Sequence, residues 1–344
     1  MAKAINTDQF SAVLREKSID LNNRRLLITR IRGSEQEADL TEPPNCNGVG
    51  RIRHFRRQTS LGWPSNPLPI DPACRRLELP RNDSLRAQVF QNAACNWRCW
   101  YCYVPFSLLN ADPKQSEWRS ASELIELYLE EPNRPRMIDL TGGQPDLVPE
   151  WIPWMMRELQ ERGLSDEVYL WSDDNLSNDY FWQYLTDADV ELVRNYVNYG
   201  KVCCFKGFSD QSFAFKTGAS VECFDRQFSL FERYLGLGID LYGYVTLTTP
   251  TVENIQVDMG RFIDRLQGID ETLPLRIVPL EVRAFSPVAS RMTPTHDLAI
   301  RNQQVAVECW RNQLSNRFLV SELAADIYDV EVQRKGACDD PVIR

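Results

Sequence analysis

From about residue 87 onward, the hydrophobic positions of the chain follow two alternating patterns. Short and nearly continuous apolar runs, typical of buried strands, are followed by segments whose apolar residues are three and four positions apart, as in amphipathic helices. The predicted strands cover residues 87–91, 137–140, 168–171, 201–205, 239–247 and 275–280. Strands that alternate with helices indicate parallel βαβ units. Six such strands predict an α/β fold in the form of a partial (β/α)6 TIM-like barrel.

Local signals support the predicted helices. Ser120 and Glu123 form a capping box at the start of one helix. A helix rich in tryptophan and methionine begins near Trp151 and ends before Gly163, which suits the position after a helix C-terminus. The other predicted helices of this region cover residues 224–235 and 252–266. Functional groups in such folds gather where the strands end, so the segments after each strand are the first candidates for a site.

Two extensions flank the predicted barrel. Residues 1–84 show helix-like periodicity near Phe10 and a strand pattern from Arg24 to Ile31, and the segment 42–72, rich in proline, glycine and asparagine, predicts turns without regular elements. We therefore divide the chain into an irregular N-terminal extension (1–84), a barrel (85–285) and a C-terminal helical cap (286–344). Both extensions are expected to cover the mouth of the barrel, the first as a substrate cap.

Composition narrows the class of protein. The chain has 344 residues, 43% of them hydrophobic, which is enough for a substantial core. A formal net charge of −9 makes nucleic acid an unlikely partner over the whole surface. No apolar run approaches a membrane span and no export signal is visible, so a cytoplasmic protein is expected. Its ten cysteines should then stay reduced.

Three of these cysteines are closely spaced. Cys95, Cys99 and Cys102 form the pattern C-x3-C-x2-C within residues 92–105, which we call the cysteine loop. Neighbouring thiolates suit zinc or an iron–sulfur cluster. A structural zinc ion needs four ligands, and neither a second C-x-x-C nor a histidine pair lies nearby. A four-iron cluster held by three cysteines leaves one iron free to bind another molecule. A zinc-binding interaction module remains the alternative.

The pattern, with Tyr101 before its last cysteine, resembles the signature of the radical S-adenosylmethionine (radical SAM) superfamily. The resemblance implies that Cys95, Cys99 and Cys102 bind an oxygen-sensitive [4Fe-4S] cluster in a barrel of the radical SAM type. In that superfamily the free iron binds S-adenosylmethionine (SAM), and one electron cleaves it to methionine and a 5′-deoxyadenosyl radical that abstracts a hydrogen atom from the substrate. It also implies an electron donor, such as a reductase, a flavodoxin or a ferredoxin.

Two further segments fit this resemblance. Residues 141–145, which we call the glycine loop, contain Gly142, Gly143, Gln144 and Pro145 where the superfamily usually has Gly-Gly-Glu-Pro, and would seat the amino acid end of SAM. Because Gln144 replaces the usual glutamate, carbonyl groups and the amide oxygen would have to hold the SAM ammonium. After the next strand, polar residues lie where relatives approach the SAM ribose, although they could equally form an Asx-rich turn. These residues are Ser172, Asp174 and Asn175.

Other candidate residues rest on position alone. Cys203 and Cys204 are adjacent on a strand, so one should face the barrel interior and could give a hydrogen atom to a substrate radical, although buried cysteines are commonly inert. Lys206 and Arg283 lie near strand ends and are candidates for binding the SAM carboxylate or a substrate anion. Five more cysteines show no tight grouping but leave open a second cluster. They are Cys46, Cys74, Cys223, Cys309 and Cys338.

Eight arginines lie between positions 24 and 57, and Arg53, Arg56 and Arg57 are grouped near His54. They could form a solvated basic face, an anion pocket for a phosphate or carboxylate, or an RNA contact. We expect hydrogen abstraction from a small anionic or nucleotide-like molecule. The alternatives are an activase or maturase acting on a protein or peptide partner, and a tRNA-modifying enzyme. With only His54 and His296 present, a histidine-based mechanism is improbable.

Overall fold

The structure is a computed structural model that describes residues 4–332. Cys338 and the end of the predicted cap lie outside the described residues. The strands are β1 (Ile19–Asp20), β2 (Arg25–Thr29), β3 (Gly50–Arg56), β4 (Ser84–Phe90), β5 (Ser116–Ser120), β6 (Met137–Leu140), β7 (Tyr169–Asp174), β8 (Tyr199–Phe205), β9 (Leu241–Thr246) and β10 (Ile277–Leu280). The helices are α1 (Thr7–Ser18), α2 (Ile70–Arg76), α3 (Ala121–Glu130), α4 (Trp151–Glu161), α5 (Tyr180–Tyr184), α6 (Asp187–Asn195), α7 (Asp210–Thr217), α8 (Glu222–Leu237), α9 (Ile255–Ile269), α10 (Ser286–Ala289), α11 (Pro294–Arg317) and α12 (Val320–Leu323).

Seven strands form one sheet in the order β10-β9-β8-β7-β6-β4-β3. The neighbours from β4 to β10 are parallel, whereas β3 runs antiparallel to β4 along the edge. The sheet is curled into half a barrel, so the predicted partial TIM-like α/β fold with extensions is confirmed. All six predicted parallel strands are present, with ends that differ from the predicted ones by a few residues. A small second sheet joins β1, β2 and β5.

Large aromatic side chains fill the part of the barrel interior that lies toward the amino-terminal ends of the strands. Tyr169 and Trp171 of β7 point inward, and the ring centroid of Trp171 lies 5.8 Å from that of Tyr242 on β9. These side chains belong to one buried cluster with Val202 and Cys204 of β8. Because inward positions recur every second residue, the next inward positions along each strand lie toward its carboxyl end. The open space lined by residues at the strand ends lies toward that end of the barrel.

The helices cover the outside of the sheet, and those predicted in the barrel region are present with ends that differ from the predicted ones by a few residues. Ser120 and Glu123 form the expected capping box at α3. Gly163 follows α4 with φ +68°, and Gly238 caps α8 with φ +77°, both in the left-handed region that favours glycine. Thr293 and His296 form a capping box at the start of α11. Among the described residues, no helix has both the length and the apolar character needed to cross a membrane.

The expectation of turns alone in residues 42–72 is wrong. This segment contains all of β3 and the start of α2. The alternation that marks a strand is hidden in β3 because two of its inward positions are Arg51 and Arg53, and only Phe55 joins the aromatic interior. A strand whose buried face is charged does not show the usual apolar pattern.

The curled sheet leaves a gap between its two edge strands, β3 and β10. The chain from residue 57 to 68 crosses this gap, and we call it the seam segment. The Trp63 indole donates to the carbonyl of Pro279 (3.0 Å), and the Ser60 hydroxyl donates to Glu281 (2.6 Å). Arg311 of α11 donates to the carbonyl of Gly62 (2.6 Å). Side-chain hydrogen bonds, rather than a ladder of backbone bonds, thus close this side of the barrel.

Candidate functional site

A single cavity lies at the carboxyl ends of the parallel strands. The cysteine loop after β4, the glycine loop after β6 and the end of β7 all border it, as do residues from β3, β8 and β9 and from the segment after β10. These segments are far apart in the sequence, and only the barrel brings them together. From the candidates named in the sequence, the lining includes Cys95, Cys99, Cys102, Gly142, Gly143, Gln144, Pro145, Asp174, Asn175, Cys204, Arg53, Lys206 and Arg283.

The three cysteines of the loop face this cavity as free thiols. Burial raises the pKa of Cys99 to about 12, with Lys206 opposing the shift and the charges of Cys95 and Cys102 adding to it. The three thiols therefore share one cavity with Lys206. Arg98 donates to the carbonyl of Cys95 (2.5 Å), and its charge also favours the thiolates.

The donor set fits a metal cluster. The thiolates would need compensation for their negative charge, and the cations Arg98 and Lys206 lie beside them. Among the described residues, no group of three or more His, Cys, Asp or Glu side chains is placed to hold a single metal ion. Cluster thiolates bind different irons, so they need to face one space rather than converge on one point. The cysteine loop meets that condition.

The C-terminal region contacts the cysteine loop from outside. The His296 ring stacks on Trp100, with centroids 4.3 Å apart and planes at 9°. Arg291 donates to the carbonyl of Cys102. Helix α11 and the chain before it therefore lie against the loop that carries the thiols. That residues 286–344 act as a cap stays a prediction.

The glycine loop packs directly on the cysteine loop. The backbone amide of Gln144 donates to the carbonyl of Ala94 (2.7 Å), and the Asn92 side chain donates to the backbone carbonyl of Gln144 (2.8 Å). Gly143 has φ +66°, and a Cβ atom there would lie 2.4 Å from the carbonyl oxygens of both Asn92 and Ala94. Glycine is therefore required here for two reasons, the left-handed backbone and the close approach of the other loop.

We expect Gly143→Ala to destabilise the chain more than Gly163→Ala. Both glycines have nearly the same positive φ, but no atom lies within 4 Å of a Cβ built on Gly163. Gly163→Ala should cost about 1–2 kcal/mol from backbone strain alone, and Gly143→Ala about 1–3 kcal/mol more from the clash with the cysteine loop. Urea unfolding of the two metal-free variants measures the difference. Equal losses would show that the loops separate without cost.

The side chain of Gln144 explains the departure from the usual glutamate. Its amide nitrogen donates to Asp174 Oδ1 (2.7 Å), and its amide oxygen accepts from the backbone amide of Asn175 (3.0 Å). Gln144 is fully buried. A glutamate at this position would place a second carboxylate against Asp174 without a donor for it. The amide thus links the glycine loop to the end of β7.

A buried charge network lies behind this link. Lys201 of β8 donates to Asp146 Oδ2 (2.7 Å), which also accepts from the Tyr234 hydroxyl (2.6 Å). Lys201 Nζ is 3.9 Å from Asp174 Oδ2, and none of the three charged side chains is exposed. Burial, and then the charge of Asp174, raise the pKa of Asp146, while Lys201 opposes the shift. The Lys201 ammonium therefore lies close to two carboxylates, that of Asp146 just after the glycine loop and that of Asp174 at the end of β7.

Strand alternation places the remaining candidates. Strand β7 continues to Asp174, so Asp173 faces the barrel interior and Ser172 faces outward. Ser172 does not line the cavity, and its hydroxyl pairs with that of Tyr199 (2.7 Å). On β8, Cys204 lines the cavity and Cys203 packs in the outer core, which confirms that the two face opposite sides. A catalytic role for Cys204 stays a prediction.

Sequence reasoning missed two inward carboxylates, Asp139 of β6 and Asp173 of β7. The signal was available in the spacing, because Asp173 continues the series of inward residues that starts with Tyr169 and Trp171. For β6, Asp139 follows inward Met137 in the same way. The apolar pattern marks neither residue, because Asp173 lies beyond residue 171, where the predicted strand ends, and Asp139 is a single aspartate inside a four-residue strand.

The arginine cluster is not one pocket. Of Arg53, Arg56 and Arg57, only Arg53 lines the cavity, whereas Arg56 is exposed. Arg57 pairs with Asp71 and Asp83 at the start of the seam segment. Arg283 lines the cavity mouth and pairs with Glu281 (2.9 Å). Arg53 and Arg56 lie on opposite faces of β3, because successive side chains of a strand point to opposite faces, whereas Arg57 follows the end of the strand.

Lys206 is placed at the centre of the site. It follows β8, lines the cavity, and its ammonium has no hydrogen-bond partner among the described residues. Burial alone would lower the pKa of Lys206, but the charges of Cys204, Tyr101 and Cys99 outweigh it and raise the pKa. A charged ammonium beside the cysteine loop can bind a carboxylate or offset thiolate charge.

No protein-family model matches the chain, and the search of curated proteins found no match. Among solved structures, the chain is similar to Streptococcus suis SuiB bound to its precursor peptide SuiA, with 15% identity and a TM-score of 0.36 over 52% of this chain and 36% of SuiB. It is similar to SuiB bound to S-adenosylmethionine at 18% identity and a TM-score of 0.36, over 50% of this chain and 36% of SuiB. Similarity to TYW1 with a lysine-pyruvate adduct has 8% identity and a TM-score of 0.41, over 67% of this chain and 73% of TYW1. The chain thus spans about a third of the SuiB length.

Proposed function

We propose that this chain is a radical SAM enzyme. The observation that carries the proposal is that the cysteine loop, the glycine loop and the end of β7 border one cavity at the carboxyl ends of the barrel strands. The sequence associates the first two segments with a cluster and with SAM, and it leaves the end of β7 open between a contact to the SAM ribose and an Asx-rich turn. Nothing in a single motif requires the three to meet. Their meeting is what a shared cofactor site needs.

Different residues of the cavity would bind the cluster and SAM. Cys95, Cys99 and Cys102 would hold a [4Fe-4S] cluster, which supplies the electron for reductive cleavage of SAM. The glycine loop would seat the amino acid end of SAM, because Gly142, Gly143, Gln144 and Pro145 all line the cavity beside the cysteine loop. Lys206 offers its ammonium to a carboxylate within the same cavity. The protein supplies binding, orientation and charge, and the cofactors supply the radical chemistry.

Asp174 borders the cavity but is only 1% exposed, and its carboxylate is already engaged. Its Oδ1 atom accepts from the Gln144 amide (2.7 Å), and its Oδ2 atom lies 3.9 Å from the Lys201 ammonium. An ammonium of SAM near the glycine loop would therefore be held by backbone carbonyls. Asn175, whose side-chain nitrogen lies 3.9 Å from Cys95 Sγ, connects this end of the site to the cysteine loop.

The test is anaerobic reconstitution with iron and sulfide. We expect a brown protein with about four irons and four sulfides per chain, and 5′-deoxyadenosine on addition of dithionite and SAM, measured by chromatography. A colourless chain that binds zinc and forms no 5′-deoxyadenosine would contradict the proposal and favour an interaction module. Formation of 5′-deoxyadenosine without added substrate establishes the chemistry and leaves the substrate to be identified.

A further inference from the structure

The inner end of the cavity carries charges that no cofactor motif uses. Arg53 of β3, Asp173 of β7 and Tyr244 of β9 all line it from inward strand positions. They lie on strands at both sides of the half-barrel, whereas the cysteine and glycine loops lie at the strand ends. Once the cluster and SAM are assigned to those loops, this inner end is the part of the cavity left for the molecule on which the radical acts.

The Arg53 guanidinium is paired with a carboxylate and also borders the cavity. It donates to Asp139 Oδ2 (3.2 Å) and lies over the Phe55 ring, 4.1 Å from the centroid. This is its one side-chain hydrogen bond among the described residues. The Arg53 side chain nevertheless keeps 28% of its surface exposed, and it lines the cavity. A guanidinium with free N–H groups in a recess matches a carboxylate, which can accept two of them.

Asp173 carries the opposite charge, and it too is bonded to a neighbouring residue while it borders the cavity. Its Oδ2 atom accepts from the Thr141 hydroxyl, at the start of the glycine loop. Its Oδ1 atom is buried and has no hydrogen-bond partner among the described residues. A buried carboxylate oxygen without a donor is unfavourable, and a donor from a ligand would remove that penalty. An ammonium is the donor group that also satisfies its charge.

The two charged groups face one space without pairing. No ion pair within 4.0 Å joins Arg53 to Asp173 in the described part of the chain. Arg53 pairs with Asp139 instead, and Asp173 accepts a hydrogen bond from the Thr141 hydroxyl. They are near enough that Asp173 is among the charges that keep the pKa of Arg53 raised. A positive and a negative group separated across a cavity match a ligand whose own charges are separated in the reverse order.

We propose that this inner end binds a zwitterionic substrate, a free α-amino acid, with its carboxylate on Arg53 and its ammonium on Asp173. The proposal rests on the proposed function for its chemistry and replaces the purely anionic or nucleotide-like substrate expected from the sequence, whose charge Asp173 would repel. In the reaction, SAM would accept one electron, supplied by dithionite in the experiment below, and split into methionine and a 5′-deoxyadenosyl radical. That radical would take one hydrogen atom from a C–H bond of the amino acid, which forms the C5′–H bond of 5′-deoxyadenosine and leaves a carbon-centred radical on the amino acid.

The experiment uses the reconstituted holoprotein with SAM, dithionite and perdeuterated L-amino acids, supplied one at a time. Mass spectrometry of 5′-deoxyadenosine is the measurement. We expect at least one proteinogenic amino acid to transfer a single deuterium atom. Its N-acetyl derivative and its methyl ester, which each lack one of the two charges, should bind at least tenfold more weakly, a difference of about 1.4 kcal/mol.

Variants test the two contacts separately. Arg53→Gln should weaken the amino acid at least tenfold and remove the preference for it over the methyl ester, whereas Asp173→Asn should remove the preference over the N-acetyl derivative. Arg56→Gln, on the exposed face of the same strand, is the matched control and should bind as the parent protein does. Because Arg53→Gln leaves Asp139 unpaired, Arg53→Lys, which keeps the charge, serves as a second variant if the first does not fold.

Two results would overturn the inference while leaving the proposed function intact. One is 5′-deoxyadenosine formation with no deuterium from any amino acid and no binding of any of them. The other is an Asp173→Asn variant that loses SAM affinity by the same factor as amino acid affinity, which would assign these charges to SAM. Failure to form 5′-deoxyadenosine under any condition would instead refute the proposed function.

Discussion

Cys99→Ser should abolish cluster binding and, with it, the cleavage of SAM. The Cys99 thiol faces the cavity together with those of Cys95 and Cys102. A serine hydroxyl has nearly the same size but is a hard, weakly acidic ligand that does not replace a thiolate on iron. We expect iron content to fall to a small fraction of the parent value and 5′-deoxyadenosine to fall below detection. Iron analysis and chromatography measure the two effects.

The matched control for this prediction is Cys309→Ser. Cys309 is a free, partly exposed cysteine on α11 that does not line the cavity. It should keep the iron content and the cleavage activity of the parent protein. Thermal unfolding of both metal-free variants separates loss of a ligand from loss of the fold. Full iron content in Cys99→Ser would contradict the assignment of Cys99 as a ligand.

Lys201→Met should destabilise the fold by about 3–5 kcal/mol, the usual cost of leaving one member of a buried ion pair without its partner. The Lys201 ammonium is fully buried and lies 2.7 Å from Asp146, which would keep only the Tyr234 hydroxyl as a donor. Methionine fills a similar volume, so the loss is electrostatic rather than a cavity effect. Urea unfolding at neutral pH gives the free energy of unfolding.

Lys216→Met is the matched control for Lys201→Met. Lys216 is also fully buried, but its ammonium donates only to the carbonyl of Thr246 (2.9 Å), and burial lowers its pKa. Its removal leaves no carboxylate without a partner, so we expect a change within about 1 kcal/mol. A similar loss in both variants would show that burial of any lysine, rather than the pairing with Asp146, determines stability.

The loss in Lys201→Met should also depend on pH. Burial already raises the pKa of Asp146, and removal of the opposing Lys201 charge raises it further. A carboxyl group whose pKa is higher in the folded than in the unfolded state disfavours folding once it must ionise. The variant should therefore regain stability as pH falls through the folded pKa toward the unfolded value near 4. A loss independent of pH between 4 and 8 would contradict this account.

The parallel strands could be predicted because their environment is uniform. Strands buried on both faces read as apolar runs, and the capping box and the glycines that end helices are local signals. The cysteine and glycine loops could be predicted because their residue types and spacings serve chemistry that a loop carries by itself. The structure then adds what the motifs do not contain, namely that Gly143 touches the cysteine loop and that Gln144 touches Asp174.

Strand β3 and the inner end of the cavity could not be predicted in this way. The inward face of β3 carries Arg51 and Arg53, which the pattern of apolar positions treats as surface residues. Their partners, Asp139 on β6 and the cavity itself, are contributed by distant segments, so no local window contains the reason for their burial. Charged residues inside a barrel are specified by the tertiary structure, and the sequence marks them only once the strand register is known.

The seam segment gives the barrel a hinge line. Opening a closed barrel breaks a backbone ladder, but here β3 and β10 are joined by side-chain hydrogen bonds such as those of Trp63 and Ser60, each worth about 0.5–1.5 kcal/mol net. The two edges can therefore part while every strand pair of the sheet stays intact. Backbone amides of residues 57–66 should exchange with deuterated solvent well before those of β7 and β8. Because Arg53 lies on β3, separation of β3 from β10 would move one wall of the inner cavity outward and admit small molecules.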